Sequence, residues 1–244
     1  MSLLTVRLHR ILWVRPIWLL NFWAAKVYWN MSSGRRRNPE FQKNRYITGK
    51  FTSASTDRIL EFLARTPVYT TYAPNPQSSY VYDETKGVRA QDYNRGREFF
   101  CLTGEHLKLV RELLESISEQ VESAAGFKWR VVNVIASRES DSDKPSGDRE
   151  WHYDCFADGA FKILVYLTGA SRERGTTEVE PRKGESFLIE GPPGTWIFFD
   201  NNALWHRAVV AQKGIRHLLQ VTIAPAFKTD TRPAHVPDGQ YPKL

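Results

Sequence analysis

Between residues 128 and 224 the apolar side chains recur at every second position, and this period constrains the fold more than any other feature of the chain. Side chains on an extended strand alternate between two faces, so a period of two gives each strand one buried face and one for solvent or a cavity. Strand-like runs fall at 128–136, 160–168, 185–190, 195–200, 204–211 and 215–224, with turn sequences such as Gly191-Pro192-Pro193-Gly194 between them. Short strands at such spacing predict a mainly β architecture with flanking helices, a double-sheet jelly-roll barrel or double-stranded β-helix. Ahead of it the period changes. Over 103–126 Leu107, Val110, Leu114, Ile117, Val121 and Ala124 recur at three and four, and Gly126 supplies a helix stop. That long helix is expected to back one face of the sheet. A shorter helix is predicted over 56–65, with Thr56 or Asp57 as N-cap, and 67–93 reads as loop and extended chain.

Alternation also assigns faces. In the run from Phe161 one side is Phe161, Ile163, Val165 and Leu167, wholly apolar, and the other is Lys162, Leu164 and Tyr166. The apolar side should meet the long helix and the mixed side a cavity. In the last run Arg216, Leu218, Gln220 and Thr222 share a side, opposite His217, Leu219, Val221 and Ile223. Polar residues mixed with apolar ones suit a ligand-holding interior; solvent exposure of that face is the other reading.

Within this β pattern lie His152-Tyr153-Asp154, then Trp205-His206-Arg207, then Arg216. Two imidazoles and one carboxylate can hold Fe(II) by three positions and leave three open, which is the donor set of oxygen-activating non-haem iron sites. Taken singly the members say little. A His-x-Asp arises readily by chance, His206 beside Trp205 reads equally as a core histidine, and Arg216 as a solvated strand residue. Their joint order and spacing carry the signal.

On these residues the chain resembles the Fe(II)- and 2-oxoglutarate-dependent oxygenases, which share the order His-x-Asp, a gap of some fifty residues, His, and a basic residue about ten further on. The resemblance covers 128–225. The run Phe161 to Thr168, followed by Gly175-Thr176-Thr177-Glu178-Val179, is similar to the prolyl-hydroxylase branch, with Thr168 and Arg174 in place of that branch's Asn and first Gly. Arg rather than Lys at 216 resembles the phytanoyl-CoA-hydroxylase-like and nucleic-acid-demethylating members. The resemblance implies His152, Asp154 and His206 as metal ligands and catalytic centre, and Fe(II), 2-oxoglutarate and O2 as cofactor and co-substrates. It implies Arg216 as partner of the distal 2-oxoglutarate carboxylate, with Tyr166 as second donor and Lys162 or Thr177 as further candidates. A planar guanidinium fits a carboxylate that would otherwise be buried unpaired. The implied reaction is hydroxylation of an unactivated C–H bond with release of succinate and CO2. A small-molecule substrate ranks first and a peptidyl side chain second. Rivals are a cupin-like isomerase or sugar-binding barrel, against which stands the absence of any His-x-His, and a catalytically silent barrel.

Charge divides the chain unevenly. The net +7 conceals ten Lys or Arg against Glu40 alone in residues 1–50, leaving the remainder slightly acidic, so no nucleic-acid partner is expected. We therefore divide the chain into a basic, Trp-rich extension, 1–50, and a catalytic domain, 51–244, with its barrel core at 128–225. Two cysteines, Cys101 and Cys155, make no disulfide framework, and a ferrous site suits a reducing, cytoplasmic setting. Residues 3–29 hold Trp13, Trp18, Trp23 and Trp29 among aliphatic residues, interrupted by Arg7, Arg10, Arg15, Pro16 and Lys26 and followed by Arg35-Arg36-Arg37. These interruptions leave runs too short to span a bilayer. Three readings fit: helices packed on the barrel, a peripheral membrane anchor formed by residues 1–37, or an organelle-targeting segment. Substrate contacts are expected from 137–150, 69–82 and 228–244.

Overall fold

The computed structural model describes residues 15–32, 37–69, 97–140, 150–154 and 159–232. In chain order the elements are helices α1 (Arg15–Ser32) and α2 (Pro39–Asn44), strand β1 (Tyr46–Lys50), helix α3 (Ser53–Leu63), and strands β2 (Val68–Tyr69) and β3 (Arg97–Phe100). Helices α4 (Gly104–Glu115) and α5 (Ser118–Ala125) follow, then β4 (Lys128–Ser140), β5 (Phe161–Tyr166), β6 (Thr176–Arg182), β7 (Glu185–Leu188), β8 (Thr195–Phe199), β9 (Trp205–Val209) and β10 (Ile215–Ala226). The strands form a seven-stranded sheet in the order β1-β8-β5-β10-β4-β3-β2 and a three-stranded sheet, β7-β6-β9. Every strand pairing in the two sheets is antiparallel.

The face assignment holds. Phe161, Ile163, Val165 and Leu167 pack in one cluster with Leu109, Val110, Leu113 and Leu114 of α4 and Val121 of α5. Leu219, Val221 and Ile223 of β10 join the same side. On the opposite face Leu164, Tyr166, Ile197 and Phe199 of the large sheet meet Val179 and Leu204, so the two sheets close on a second, smaller core. A register shift at Thr222/Ile223 pairs Ile223 with Val131 rather than Val132 and keeps Val131, Val134 and Trp129 on the helix side.

Several boundaries differ from those predicted, each for a local reason. The helix over 103–126 is two helices. The Ser116 hydroxyl donates to the Leu113 carbonyl at 2.7 Å, a side-chain bond that competes with continuation of the helix, and the chain breaks there before α5 ends at Gly126, φ 72°. Helix α3 begins earlier than predicted because Thr52, not Thr56 or Asp57, is its N-cap, accepting from the Ser55 amide. Strand β4 runs on to Ser140, taking residues 137–140 out of the expected substrate loop. Strand β6 was not among the predicted strands, since Gly175-Thr176-Thr177 reads as a turn. Pro16 starts a helix instead of breaking one: it sits in the first turn of α1, where its fixed φ fits and its missing N–H has no partner to lose. Of the basic extension, Phe41 is core and β1 pairs with β8, so this part packs into the same body as residues beyond 50.

Candidate metal centre

The sequence places His152 and His206 between aromatic neighbours, Trp151 and Tyr153 on one side, Trp205 on the other. Extended chain then turns the histidines one way and the aromatic rings the other. His152 and His206 pair as antiparallel neighbours through His152 N–H to His206 O (2.9 Å) and the return bond (3.2 Å). Outside, Trp151 lies parallel to Trp205 at 6.4 Å, Tyr153 leans on Trp205 at 4.6 Å, and Arg207 covers Trp151 at 4.9 Å. This stack fixes the pair from behind.

Inside, the imidazoles converge on Asp154. His152 Nε2 is 3.5 Å from Asp154 Oδ1 and His206 Nε2 3.7 Å from Oδ2. One ligand atom from each of the three side chains fits within 4.8 Å of the other two. Each Nδ1 lies against a backbone carbonyl, Glu150 O at 2.7 Å for His152 and Leu204 O at 2.9 Å for His206. A carbonyl only accepts, so each Nδ1 carries the hydrogen and each Nε2 presents a lone pair to the centre. That tautomer, together with an adjacent carboxylate, is what a divalent iron requires. The donor set fits the metal.

The electrostatics point the same way. Burial pushes the His206 imidazole down to about 4 against the pull of Asp154, so it is neutral and able to coordinate at neutral pH. Burial alone would raise the Asp154 carboxyl; the neighbouring His152 imidazole and the charge of Lys162 outweigh it and hold the group well below the usual carboxylate range. For His152, burial is outweighed by the nearby Asp154 carboxylate and the bond to the Glu150 carbonyl, and its value is raised. Asp154 is anchored twice by the connector after β8, through its amide to Asn201 O (3.0 Å) and Asn201 Nδ2 to its Oδ2 (3.0 Å). Asn201 is fully buried. Sequence reasoning missed it, although Asp200-Asn201-Asn202 is a polar break inside an otherwise apolar stretch.

Lys162 stands with the candidate metal ligands, its Nζ 2.5 Å from Asp154 Oδ2. Strand register pairs Lys162 with Thr222, six positions along β10 from Arg216 or about 20 Å at 3.3 Å per residue, so it is at the far end from that arginine. Tyr166 and Thr177 lie between: the Tyr166 hydroxyl donates to Thr177 Oγ1 at 2.7 Å, linking the two sheets. Arg216, 2 % exposed, donates through Nη1 to the carbonyls of Thr176 (3.1 Å) and Val209 (3.4 Å) and pairs through Nη2 with Glu139. Its buried Nε has no partner among the described residues. Glu139 also faces Arg97 Nη2 at 3.6 Å, so two guanidiniums flank one carboxylate across β3, β4 and β10. Glu139 and Arg97 were not foreseen, because residue 139 reads as loop until β4 is seen to reach it. Of the expected substrate segments, 70–82, 141–149 and 233–244 lie outside the described residues. A separate open groove of about 770 Å³ lies on the helix side of the large sheet, lined by Ile47, Phe51, Ser116 and Trp196, away from His152, Asp154 and His206.

No protein-family model matches the chain, and no curated protein does. Solved structures do. The chain superposes on SnoN, a non-haem epimerase of nogalamycin biosynthesis solved with Fe3+, α-ketoglutarate and nogalamycin RO, with a TM-score of 0.56 at 14 % identity over 79 % of this chain and 84 % of that one. Its fold is that of the Fe(II)/2-oxoglutarate oxygenases. An oxidoreductase of the 2OG-Fe(II) oxygenase family from Burkholderia pseudomallei matches with a TM-score of 0.55 at 14 % identity, covering 82 % and 98 %. HygX from Streptomyces hygroscopicus, with nickel and 2-oxoglutarate bound, gives 0.51 at 14 % identity, covering 78 % and 86 %. SnoN and HygX, solved with Fe3+ and α-ketoglutarate and with nickel and 2-oxoglutarate, are proteins of this fold that hold a metal together with that keto acid.

Proposed function

We propose that this protein is an Fe(II)- and 2-oxoglutarate-dependent oxygenase whose sheets form a double-stranded β-helix and which hydroxylates an unactivated C–H bond of a small molecule. The observation that carries the reading is the convergence of His152 Nε2, His206 Nε2 and the Asp154 carboxylate on one point, with both Nδ1–H groups committed to carbonyls. When bound, Fe(II) with 2-oxoglutarate and O2 supplies the oxidising power for oxygen insertion, with succinate and CO2 as by-products.

The residues divide the remaining work. His152, Asp154 and His206 would hold the metal, and Asn201 orients the carboxylate. Arg216 receives the distal carboxylate of 2-oxoglutarate on the side of its unpartnered Nε. It reaches the Thr176/Val209 pair, three positions along β6 and β9 from the Val179/His206 pair. Three residues of strand are about 10 Å, a separation that a five-carbon dicarboxylate spans between a metal and a guanidinium. Tyr166 and Thr177 wall the path between, and their mutual hydrogen bond leaves acceptor capacity for a ligand. Lys162 keeps Asp154 ionised and stands where an anion near the metal meets a positive charge. A small-molecule substrate is supported by SnoN, whose structure holds nogalamycin RO. A reducing, cytoplasmic setting suits the ferrous centre.

One observation favours a second reading, a cupin-like binding protein without 2-oxoglutarate turnover: Glu139 already pairs with Arg216. Anaerobic reconstitution with Fe(II), followed by assay of succinate formed from 2-oxoglutarate under O2, separates the two. Succinate production lost in Asp154→Ala supports the oxygenase, whereas a loaded protein that neither binds nor consumes 2-oxoglutarate supports the binding protein.

A further inference from the structure

Helix α1 is apolar on two opposite faces. The inner face joins the core: Ala25 and Trp29 are buried, and Phe22 meets Phe127 edge-on at 5.8 Å. This resolves part of the tryptophan question in favour of packing. The outer face is different. Ile17, Leu20, Trp23, Val27 and Met31 follow at spacings of three and four, so they form one line, and they are 61 %, 70 %, 57 %, 54 % and 83 % exposed. Leu19 and Tyr28 flank the line, and Phe227, half exposed in the turn after β10, meets Tyr28 edge-on at 5.7 Å and carries the patch onto a second element. No exposed residue between 16 and 32 is charged. Lys26 is turned to the edge, its ammonium 4.2 Å over the Phe22 ring.

Scattered exposed apolar residues are ordinary on a protein surface; a continuous stripe that includes Trp, Met and Leu is not, and it marks an interaction surface. Charge identifies the occupant. The ten Lys or Arg of residues 1–50 face a single acid, Glu40, whereas the rest of the chain is slightly acidic. Among the described residues Arg37 is held at the C-terminal end of the helix, its Nη2 3.4 Å from Asn30 Oδ1. An uncharged apolar stripe with Lys26 at its edge and Arg37 at the helix end, in the basic segment of the chain, matches an anionic lipid surface: the stripe enters the boundary between headgroups and acyl chains while cations stay among the headgroups. No described helix is long and apolar enough to cross a membrane, and the inner face of α1 is already committed to the protein core. The geometry points to α1 as an in-plane docking helix that seats this protein on an anionic bilayer through Ile17, Leu20, Trp23, Val27, Met31 and Phe227.

The test uses the full chain and sedimentation with phosphatidylcholine vesicles, with and without phosphatidylserine. The chain should co-sediment with the phosphatidylserine vesicles, bind pure phosphatidylcholine at least about tenfold more weakly, and be released as salt rises from about 0.1 to about 1 M, where the screening length falls from about 10 to about 3 Å. The double variant Leu20→Glu/Trp23→Glu, at two exposed positions, should lose about tenfold or more of the vesicle binding with unchanged circular dichroism and Tm. A full-length chain that ignores anionic vesicles overturns the proposal, as does a double variant that binds like the wild type. So does analytical ultracentrifugation showing a wild-type dimer that becomes monomeric in the double variant, since a second copy then covers the stripe.

Discussion

The pairing of Arg216 with Glu139 makes Glu139 the residue that most directly tests the proposed 2-oxoglutarate site. Glu139 lies between the buried Arg216 guanidinium and the partly buried Arg97. Removing its charge while keeping its shape, Glu139→Gln, takes the carboxylate away from the Arg216 guanidinium, and breaking a buried pair from one side typically destabilises by about 3–5 kcal/mol. On the proposed reading, a 2-oxoglutarate carboxylate bound at Arg216 would supply the missing charge. The variant should therefore melt lower than wild type without ligand, bind 2-oxoglutarate more tightly, and recover most of the lost Tm when 2-oxoglutarate is added. Arg216→Ala should instead weaken 2-oxoglutarate by about 2–5 kcal/mol in calorimetry. Equal affinities for the two variants would show that Arg216 serves only the ion pair. The sequence made His152, Asp154, His206 and Arg216 legible because their types and spacing are distinctive. Asn201, Glu139 and Arg97 were hidden, since a residue that acts on a ligand through another element leaves no periodic trace.

At the scale of elements, periodicity was readable wherever one face is wholly apolar. That is why β5 and β10 with their faces, and the existence of β8, follow from the sequence, and why β6 does not: Thr176, Thr177 and Glu178 are buried by pairing with β9 and by hydrogen bonds such as Tyr166 to Thr177, not by hydrophobic alternation. Likewise β1, with the sequence Tyr-Ile-Thr-Gly-Lys, carries too short a pattern to be read, and tertiary pairing with β8 fixes it. Turn chemistry misled at Gly175-Thr176-Thr177 but was sound before β8. Gly194, in the Gly-Pro-Pro-Gly turn before β8, has φ 88°, and a Cβ there would lie 2.8 Å from the Phe51 carbonyl oxygen. Strained backbone together with that clash should make Gly194→Ala less stable by about 1–3 kcal/mol in urea denaturation. Gly184, at φ 83° with nothing within 4 Å, has the strain without the clash, so Gly184→Ala should be the milder change. A reversed order would mean that Phe51 yields freely.

For the whole molecule the same burial that readies the centre for metal sets a pH limit. Burial lowers His106, His206 and His217 below the ordinary imidazole value of 6.5, His206 to about 4. His152 is shifted the other way and opposes them. Where the folded value is lower, the unfolded chain binds a proton that the folded chain refuses, so stability present above pH 6.5 is lost as pH falls from there toward the folded values. His206 alone contributes about 2 kcal/mol of that loss at about pH 5, from 1.4 kcal/mol per pH unit. The metal-free Tm should thus drop by several degrees between about pH 7 and about pH 5, and His217→Phe, which stays stacked on Phe100, should flatten part of the fall. A Tm independent of pH over that range would contradict the assignment of neutral buried imidazoles. The most direct measurement of the central claim is anaerobic calorimetric titration of 2-oxoglutarate into the Fe(II)-loaded chain. The account predicts one molecule bound per chain, no binding without metal, and loss of both metal and ligand in a folded His206→Ala variant. Binding of 2-oxoglutarate that is indifferent to metal, or full metal loading of His206→Ala, would contradict it.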